Sequence, residues 1–231
     1  MGIQCIAFDL DDTLWECQPV IQRAEQALYR YLAANYPKIT QAYSFIKLTQ
    51  HRKHFMITHP EMEHDLSQLR RCWLQHLAHQ FAYDEQMAKH AFQIFWLMRN
   101  KVQFYDGVLD ILDKLSQRFR LGVISNGNAD INQIGVGALF DFSVSASEAG
   151  VAKPHANIFK LAVHKAQCQT NEIIYIGDDP VCDIQGANQA GLHAIWYNPK
   201  ALAWQGDGQP QYSIQYHHEL NTQIAKLAGD L

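Results

Sequence analysis

The fold is decided by residues 6–14, Ile6-Ala7-Phe8-Asp9-Leu10-Asp11-Asp12-Thr13-Leu14, where a short apolar run leads directly into three carboxylates and a threonine. Residues 3–8 lack the alternation of a half-exposed strand, so we predict a strand buried on both faces of a parallel sheet. The carboxyl end of such a strand opens onto a crevice. Three acids there repel one another by roughly 4 kcal/mol per pair at about 4 Å and an effective dielectric of about 20. This motif therefore favours a bound divalent cation.

Asp9 and Asp11 are the first candidates for catalysis. An aspartate carboxylate can attack phosphorus and form an aspartyl phosphate, and a second acid nearby can handle the proton of the leaving oxygen. The alternative is a local turn, because Asp and Thr favour turns and helix N-caps through their own hydrogen bonds. Taken alone, the motif leaves both interpretations open.

Three later segments also place reactive groups at the ends of predicted elements. They are Ser125-Asn126-Gly127-Asn128 after the apolar run 121–124, Lys153-Pro154 before a predicted helix, and Gly177-Asp178-Asp179 with Asp183 after the apolar run 173–176. A glycine-containing turn can direct backbone amides at an anion, and proline suits the first turn of a helix. Four such segments in one chain favour a catalytic site over an isolated turn.

The order of these motifs resembles the haloacid dehalogenase-like hydrolase superfamily, and the resemblance spans nearly the whole chain. It implies that Asp9 is the nucleophile and Asp11 the general acid and base. It also implies that Ser125 and Asn126 bind the substrate phosphate and that Lys153 neutralises its charge.

The same resemblance implies a magnesium ion held by Asp9, Asp178 and the main-chain carbonyl of Asp11. Asp183 is expected to support the metal ligands from outside or to orient Lys153. Asp179 stands where many relatives carry serine and is expected to lie outside the metal ligands, with its own role left open. Magnesium is commonly held by one or two carboxylates plus substrate phosphate. Dehalogenation is disfavoured, because a departing halide needs neither a proton nor magnesium and would leave Asp11 and the acidic cluster without a role.

Residues 16–103 differ in character from the rest of the chain. Four helix-length segments are predicted here, near 19–36, 40–57, 65–81 and 84–100, and no strand-like run interrupts them. Strand and helix alternation resumes after residue 104, which is typical of βα units on a parallel sheet. We therefore predict an α/β fold: a doubly wound, Rossmann-like parallel sheet formed by residues 1–15 and 104–231, with an edge segment at 212–215, a final helix and an inserted helical-bundle cap at 16–103.

The predicted cap is rich in cationic and aromatic side chains. His51, Arg52, Lys53 and His54 offer groups that could grip a phosphorylated metabolite, although solvated helix faces are the simpler interpretation. His51 with His54, and His76 with His79, could each place two imidazoles on one helix face. Neither pair has a clear acidic partner that would complete a zinc motif. The aromatic run at 92–96 is interpreted as the core of the cap.

Substrate class is indicated by resemblance alone. The likeness is greatest to small-capped bacterial phosphatases that act on flavin mononucleotide (FMN) or its ribityl-pyrimidine precursor. It is carried by the opening motif through Trp15, by His64-Asp65-Leu66 followed by Arg70, by the Ser125 turn and by Gly177-Asp178-Asp179. Pyrimidine 5'-nucleotidase and sugar phosphatase activities remain alternatives.

Three other classes of protein share part of this pattern. A phosphorylation-dependent receiver would carry its phosphoacceptor aspartate after a later strand, where this chain has Ser125. A phosphomutase would have to return the phosphoryl group to its substrate. A non-catalytic binding protein of the same fold is disfavoured because Asp9, Asp11, Lys153 and Asp178 are all retained.

Composition limits the partners. The chain has 231 residues, with 19 basic and 23 acidic side chains and a net charge of −4, which argues against a nucleic-acid partner. Its five cysteines form no CxxC pair, which favours a reducing cytoplasm. It has neither a leader-like start nor the ~20 consecutive apolar residues that span a bilayer. We expect a cytoplasmic enzyme, monomeric or homodimeric, that acts on a small phosphorylated metabolite without a nucleic-acid or membrane partner.

Overall fold

The computed structural model describes residues 2–206, 210 and 212–228. Four parts of the predicted core domain lie outside the described residues: 1, 207–209, 211 and 229–231. The chain divides into two compact units: Met1–Glu16, Gln103–Gly127 and Gly135–Leu231 form an α/β unit, and Cys17–Val102 with Asn128–Ile134 form a helical unit. The short segment Asn128–Ile134 groups with the helical unit, whereas the sequence-based boundaries had assigned it to the core.

A parallel sheet forms the centre of the α/β unit. Among the described residues it has six strands in the order β3-β2-β1-β4-β5-β6. These are β1 Cys5–Phe8, β2 Arg120–Ser125, β3 Phe142–Ser145, β4 Ile173–Gly177, β5 His193–Tyr197 and β6 Tyr212–Ile214. All pairings are parallel. The predicted α/β class and parallel, doubly wound sheet are confirmed, including the edge strand near 212.

The strands are buried because helices cover the sheet. Every residue of β1 and β4 is buried, as their unbroken apolar runs predict for central parallel strands. The helices of this unit are α6 Val108–Ser116, α8 Ala146–Ala149, α9 Ala156–Ala166, a π-helix at Pro180–Gln185, α10 Gly186–Gln189 and α11 Leu220–Ala228. On one side of the sheet, Phe159 of α9 packs edge-on against Tyr175 at 5.6 Å between ring centroids.

The helical unit is built mainly from α1 Cys17–Asn35, α2 Pro37–Ala42, α3 Phe45–Ile57, α4 Leu66–Gln80 and α5 Gln86–Arg99, and α7 Ile131–Ile134 belongs to it. Its core includes Leu28, Leu32, Trp73 and Phe95, each at most 1% exposed. Burying a side chain of this size contributes about 1.5–3 kcal/mol to stability. The aromatic run at 92–96 contributes Phe92 and Phe95 to this core, as predicted.

Two local predictions were wrong. The segment 40–57 is two helices, because Tyr43 is extended and the Ser44 side chain caps α3 by accepting a hydrogen bond from Lys47 N–H. Pro154 does not open a helix: α9 begins at Ala156, and the His155 side chain is its N-cap. The peptide bond between Lys153 and Pro154 is cis.

Candidate active site

Strand order brings the predicted motifs of the α/β unit to one edge of the sheet. β1 lies between β2 and β4, and Phe8 is in register with Val123 and Ile176. The Asp9 N–H continues the ladder by donating to Ile176 O at 2.8 Å. The residues that follow these strands therefore meet at the carboxyl edge, where α/β proteins place their ligands.

Lys153 joins the groups at this edge. Its Nζ lies 2.6 Å from Asp9 Oδ1, 2.7 Å from Asp183 Oδ1, 2.7 Å from the Tyr175 hydroxyl and 3.0 Å from Ile124 O. The ammonium has three protons for these four acceptors, so at least one proton is shared. The lysine is 4% exposed, so its charge is held within the protein and is directed at Asp9.

Burial and charge act in opposite directions on this pair. Burial disfavours the Lys153 ammonium, but the carboxylates of Asp183 and Asp9 outweigh it and raise the pKa of Lys153 above its ordinary value. The pKa of Asp9 is also raised by burial, and the nearby Lys153 opposes that rise. Lys153 is therefore a permanent cation at neutral pH.

Three carboxylates form a compact cluster around this lysine. Oxygen atoms of Asp9, Asp178 and Asp183 lie within 4.8 Å of one another. Burial raises the pKa of Asp178 to about 7, and the charges of Asp183 and Asp12 add to the rise. When all three carboxylates are ionised, Lys153 balances only one of three negative charges.

This excess of negative charge fits a divalent cation. The donors are carboxylate oxygens, which are the ligands magnesium prefers, and the cluster contains no sulfur or imidazole ligand among the described residues. Asp9 and Asp178 are the better ligands, because Asp183 already accepts hydrogen bonds from Lys153, Tyr175 and the Asp179 N–H.

Asp183 is held in place by its surroundings. Its Oδ2 accepts from the Asp179 N–H at 2.9 Å, and a Cβ at Gly177 would overlap the Asp183 carboxylate. The Asp179 side chain has a different role, because its Oδ1 accepts from Val181 N–H at 2.8 Å and from Cys182 N–H at 2.7 Å. Asp179 thus caps the π-helix that carries Asp183.

Asp11 is fixed by the indole of Trp15. Trp15 Nε1 donates to Asp11 Oδ1 at 2.9 Å, and Trp15 is fully buried. Thr13 Oγ1, also from the first motif, donates to Asp178 Oδ1 at 3.1 Å. The opening motif therefore supplies the Asp9 carboxylate to the cluster, and Thr13 donates a hydrogen bond to Asp178 of the same cluster. The Asp11 side chain is held by Trp15.

In the turn after β2, Ser125 and Asn126 make hydrogen bonds within the protein. Ser125 Oγ accepts from Gly127 N–H at 3.0 Å, which leaves its own hydroxyl proton to donate. The Asn126 side-chain amide binds the Lys153 backbone, accepting from its N–H at 2.7 Å and donating to its carbonyl at 3.0 Å. The second proton on Asn126 Nδ2 is not used in these two hydrogen bonds.

Sequence reasoning missed Tyr175. Its hydroxyl accepts from Lys153 and lies 2.9 Å from Asp183 Oδ1 and 3.0 Å from Ile124 O. Burial raises the pKa of Tyr175 well above its ordinary value, so the phenol stays protonated. The available signal was a lone hydroxyl in the otherwise apolar run 173–176.

These features define a hydrolase. The chain belongs to the haloacid dehalogenase-like hydrolase family, whose model matches residues 3–191. It is similar to the 5-amino-6-(5-phospho-D-ribitylamino)uracil phosphatase YigB of Escherichia coli (strain K12), with 30% identity over 86% of this chain and 84% of that protein. It is also similar to the pyrimidine 5'-nucleotidase YjjG of the same organism, with 29% identity over 52% of this chain and 56% of that protein.

A solved structure resembles the whole chain. It is described as a 2-haloacid dehalogenase from Pseudomonas syringae pv. Tomato DC3000, with 36% identity, a TM-score of 0.90, and coverage of 98% of this chain and 100% of that one. The relatives thus include proteins named for two reactions, ester hydrolysis and carbon–halogen hydrolysis.

Proposed function

We propose that this protein is a magnesium-dependent phosphomonoesterase that works through an aspartyl phosphate on Asp9. The observation that carries the proposal is the cluster of Asp9, Asp178 and Asp183, in which a single buried lysine pairs with Asp9 and Asp183. When the three carboxylates are ionised, the cluster has surplus negative charge. A magnesium ion would balance that charge and would bind a substrate phosphate at the same place. The curated relatives named above, which are a phosphatase and a nucleotidase, support the same reaction class.

Asp9 is the proposed nucleophile. Its Oδ1 is held by Lys153 at 2.6 Å, so attack through Oδ2 would keep that ion pair intact. Lys153 and the Ser125 hydroxyl would bind the phosphoryl oxygens, where positioning and electrostatics supply most of the rate. Asp11, held by Trp15, would give a proton to the leaving alkoxide and later take one from the attacking water.

Asp9 and Asp178, with the Asp11 carbonyl, would hold the magnesium ion. The ion would neutralise charge on the phosphoryl oxygens. Asp183 would keep Lys153 directed at Asp9, and Asp179 would hold the π-helix that carries Asp183.

We propose a small soluble metabolite as substrate, with FMN or a ribityl-pyrimidine phosphate first, because the YigB match spans most of both chains. A pyrimidine nucleotide is the next candidate, and a sugar phosphate follows. We propose a cytoplasmic location, which the lack of disulfides among the five cysteines favours. Within the described residues, no helix is long and apolar enough to cross a membrane.

Dehalogenation is the second candidate, favoured by the 36% identical structure. In that reaction Asp9 would attack a carbon atom and halide would leave. Asp11 would then have no leaving oxygen to protonate. The two reactions differ in what they release and in their need for metal.

The test is a panel of reactions run with magnesium and with excess chelator. Phosphate release is measured from FMN, a ribityl-pyrimidine phosphate, UMP and a hexose phosphate, and chloride release from 2-chloropropionate. Magnesium-dependent phosphate release without chloride release supports the proposal and ranks the substrates. Chloride release that is insensitive to chelator, without phosphate release, would replace it with the second candidate.

A further inference from the structure

A second charged cluster lies within the helical unit and takes no part in the chemistry proposed above. It contains Glu25 of α1, Arg52 of α3 and Arg70 of α4. Glu25 Oε1 accepts from Arg70 Nη2 at 2.8 Å and lies 2.9 Å from Arg52 Nε. Glu25 is 8% exposed and Arg70 is 7% exposed. Two guanidinium groups share one carboxylate, so the cluster has a formal charge of +1.

A third guanidinium group acts on this cluster. Burial is the largest cause of a fall in the pKa of Arg70 to about 10; Glu25 opposes this fall, and Arg52 and Arg99 contribute to it. Arg99, on α5, is 1% exposed and donates from Nε to Asn128 Oδ1 at 3.1 Å.

A cavity of about 110 Å³ adjoins this cluster, and Arg52 and Arg70 both line it. Most of the remaining wall is apolar. Helix α4 contributes Leu66, Leu69 and Trp73, which share a face with Arg70 because they lie at i, i+3, i+4 and i+7. An apolar cavity of ~150 Å³ binds benzene, so the space suits a small organic group.

Hydrogen bonding within the cluster is incomplete. Among the described residues, Arg70 Nη1 has no hydrogen-bond partner, although the atom is buried. Arg52 Nε is close to Glu25 but is not aligned for a hydrogen bond. A buried donor without a partner is costly, and more so when it belongs to a charged group. An acceptor that enters the cavity would remove that cost.

We propose that this cavity binds the carboxylate of a small organic ligand, with the apolar body of the ligand against Trp73 and Phe95. One negative charge neutralises the +1 cluster. The planar carboxylate matches the fork of a guanidinium group. The apolar wall disfavours inorganic phosphate, which has more charge and no apolar part. None of the substrates proposed above carries a carboxylate, so the ligand is a separate metabolite.

The test is calorimetric titration of benzoate into the full chain, with benzamide and inorganic phosphate as comparison probes. Arg70→Met removes the unpaired donor and leaves Glu25 paired with Arg52. Arg71→Met is the matched control, because Arg71 is the next residue of α4, carries the same charge and is exposed. We expect wild type and Arg71→Met to bind benzoate more tightly than either comparison probe, and Arg70→Met to bind it at least ~10-fold more weakly, a loss of one charge-assisted hydrogen bond.

A second variant guards against misfolding of Arg70→Met. Leu69→Phe keeps every charge and fills the cavity, so it should also lose benzoate binding. Equal binding by Arg70→Met and wild type, or no binding of benzoate by wild type at millimolar concentration, would overturn the proposal. When benzoate is added to the phosphatase assay, an unchanged KM for the best phosphate ester supports a ligand separate from the substrate, and a raised KM at unchanged kcat would contradict it.

Discussion

Lys153 is the residue on which the site depends, because among the described residues it is the one cation that pairs with the Asp9 and Asp183 carboxylates. Its position is fixed at both ends. The Asn126 amide holds its backbone, and four acceptors surround its ammonium group. Replacing it would leave buried carboxylates without their counter-charge, which is strongly destabilising.

Tyr175 provides a milder test of this network. Tyr175→Phe removes one of four acceptors from Lys153, which still has three for its three protons, but removes a hydroxyl from Asp183. We expect the free energy of unfolding to fall by about 1–2 kcal/mol and turnover to fall ~10-fold, or about 1.4 kcal/mol of transition-state stabilisation. Chemical denaturation and steady-state kinetics measure both. Tyr216→Phe is the control, because Tyr216 is 60% exposed; equal behaviour of the two variants would remove Tyr175 from the site.

Asp11 is tested by changing the leaving group. Asp11→Asn keeps an acceptor for the Trp15 indole but cannot donate a proton, and general acid catalysis contributes ~10²–10⁴-fold. We expect a loss of that size with an alkyl phosphate and a much smaller loss with p-nitrophenyl phosphate, whose leaving group needs no proton. Phosphate release from both esters measures the ratio. Equal losses with both esters would contradict a general-acid role.

Among single residues, those at the ends of predicted strands were identified as site candidates from the sequence. Asp9, Ser125 and Asp178 each follow an apolar run, and the parallel sheet brings those runs together. Tyr175 was missed because tyrosine is ordinary in a buried strand, and only the three-dimensional position of its hydroxyl shows its contacts. Asn126 was predicted to bind phosphate, and that stays a prediction. Its side-chain hydrogen bonds to Lys153 were not predicted, because they depend on a distant segment that sequence does not locate.

The π-helix Pro180–Gln185 is the element that positions Asp183, and Asp179 caps it. Asn and Asp are comparable N-caps, whereas Ala costs about 1 kcal/mol. Asp179→Asn should therefore keep near-wild-type stability and turnover, and Asp179→Ala should lose about 1 kcal/mol of stability together with part of the activity. Thermal unfolding and kinetics of the matched pair measure this. Equal damage from both variants would show that the charge of Asp179 matters more than its cap.

Elements were predicted well where periodicity was long and poorly where local hydrogen bonds decide. The helices near 65–81 and 84–100 correspond to α4 and α5. The break between α2 and α3 was missed, because it depends on one serine cap inside a continuous helical pattern. β3 was missed because Phe142–Ser145 is a four-residue edge strand that alternates with serine, a pattern that also fits a loop.

At the scale of the whole α/β unit, the carboxyl-terminal region supports the first motif. His217 is 6% exposed, its Nε2–H donates to Thr13 O at 2.7 Å, and its ring packs against Tyr197 at 4.3 Å. Burial lowers the pKa of His217 below its ordinary value. Sequence did not predict this contact, which joins residues 204 positions apart.

The lowered pKa of His217 predicts a pH-dependent stability. Below the unfolded pKa of ~6.5, the unfolded chain binds a proton that the folded chain resists, so the free energy of unfolding falls as pH decreases. His217→Gln keeps a donor and removes the titration. We expect the difference in unfolding free energy between pH 7.5 and pH 5.5 to be smaller in this variant than in wild type. Urea titrations at both pH values measure it, and an unchanged difference would contradict the assignment.

The central claim is that Asp9 is the nucleophile of a magnesium-dependent phosphatase. The most direct measurement is phosphate release by Asp9→Asn, a change of one oxygen to nitrogen, beside wild type and the exposed control Asp113→Asn, with magnesium and the best ester of the panel. We predict that Asp9→Asn retains the far-UV spectrum of wild type and loses at least ~10³-fold in kcat, as removal of a nucleophile does, while the control stays near wild type. Substantial hydrolysis by well-folded Asp9→Asn would contradict the account.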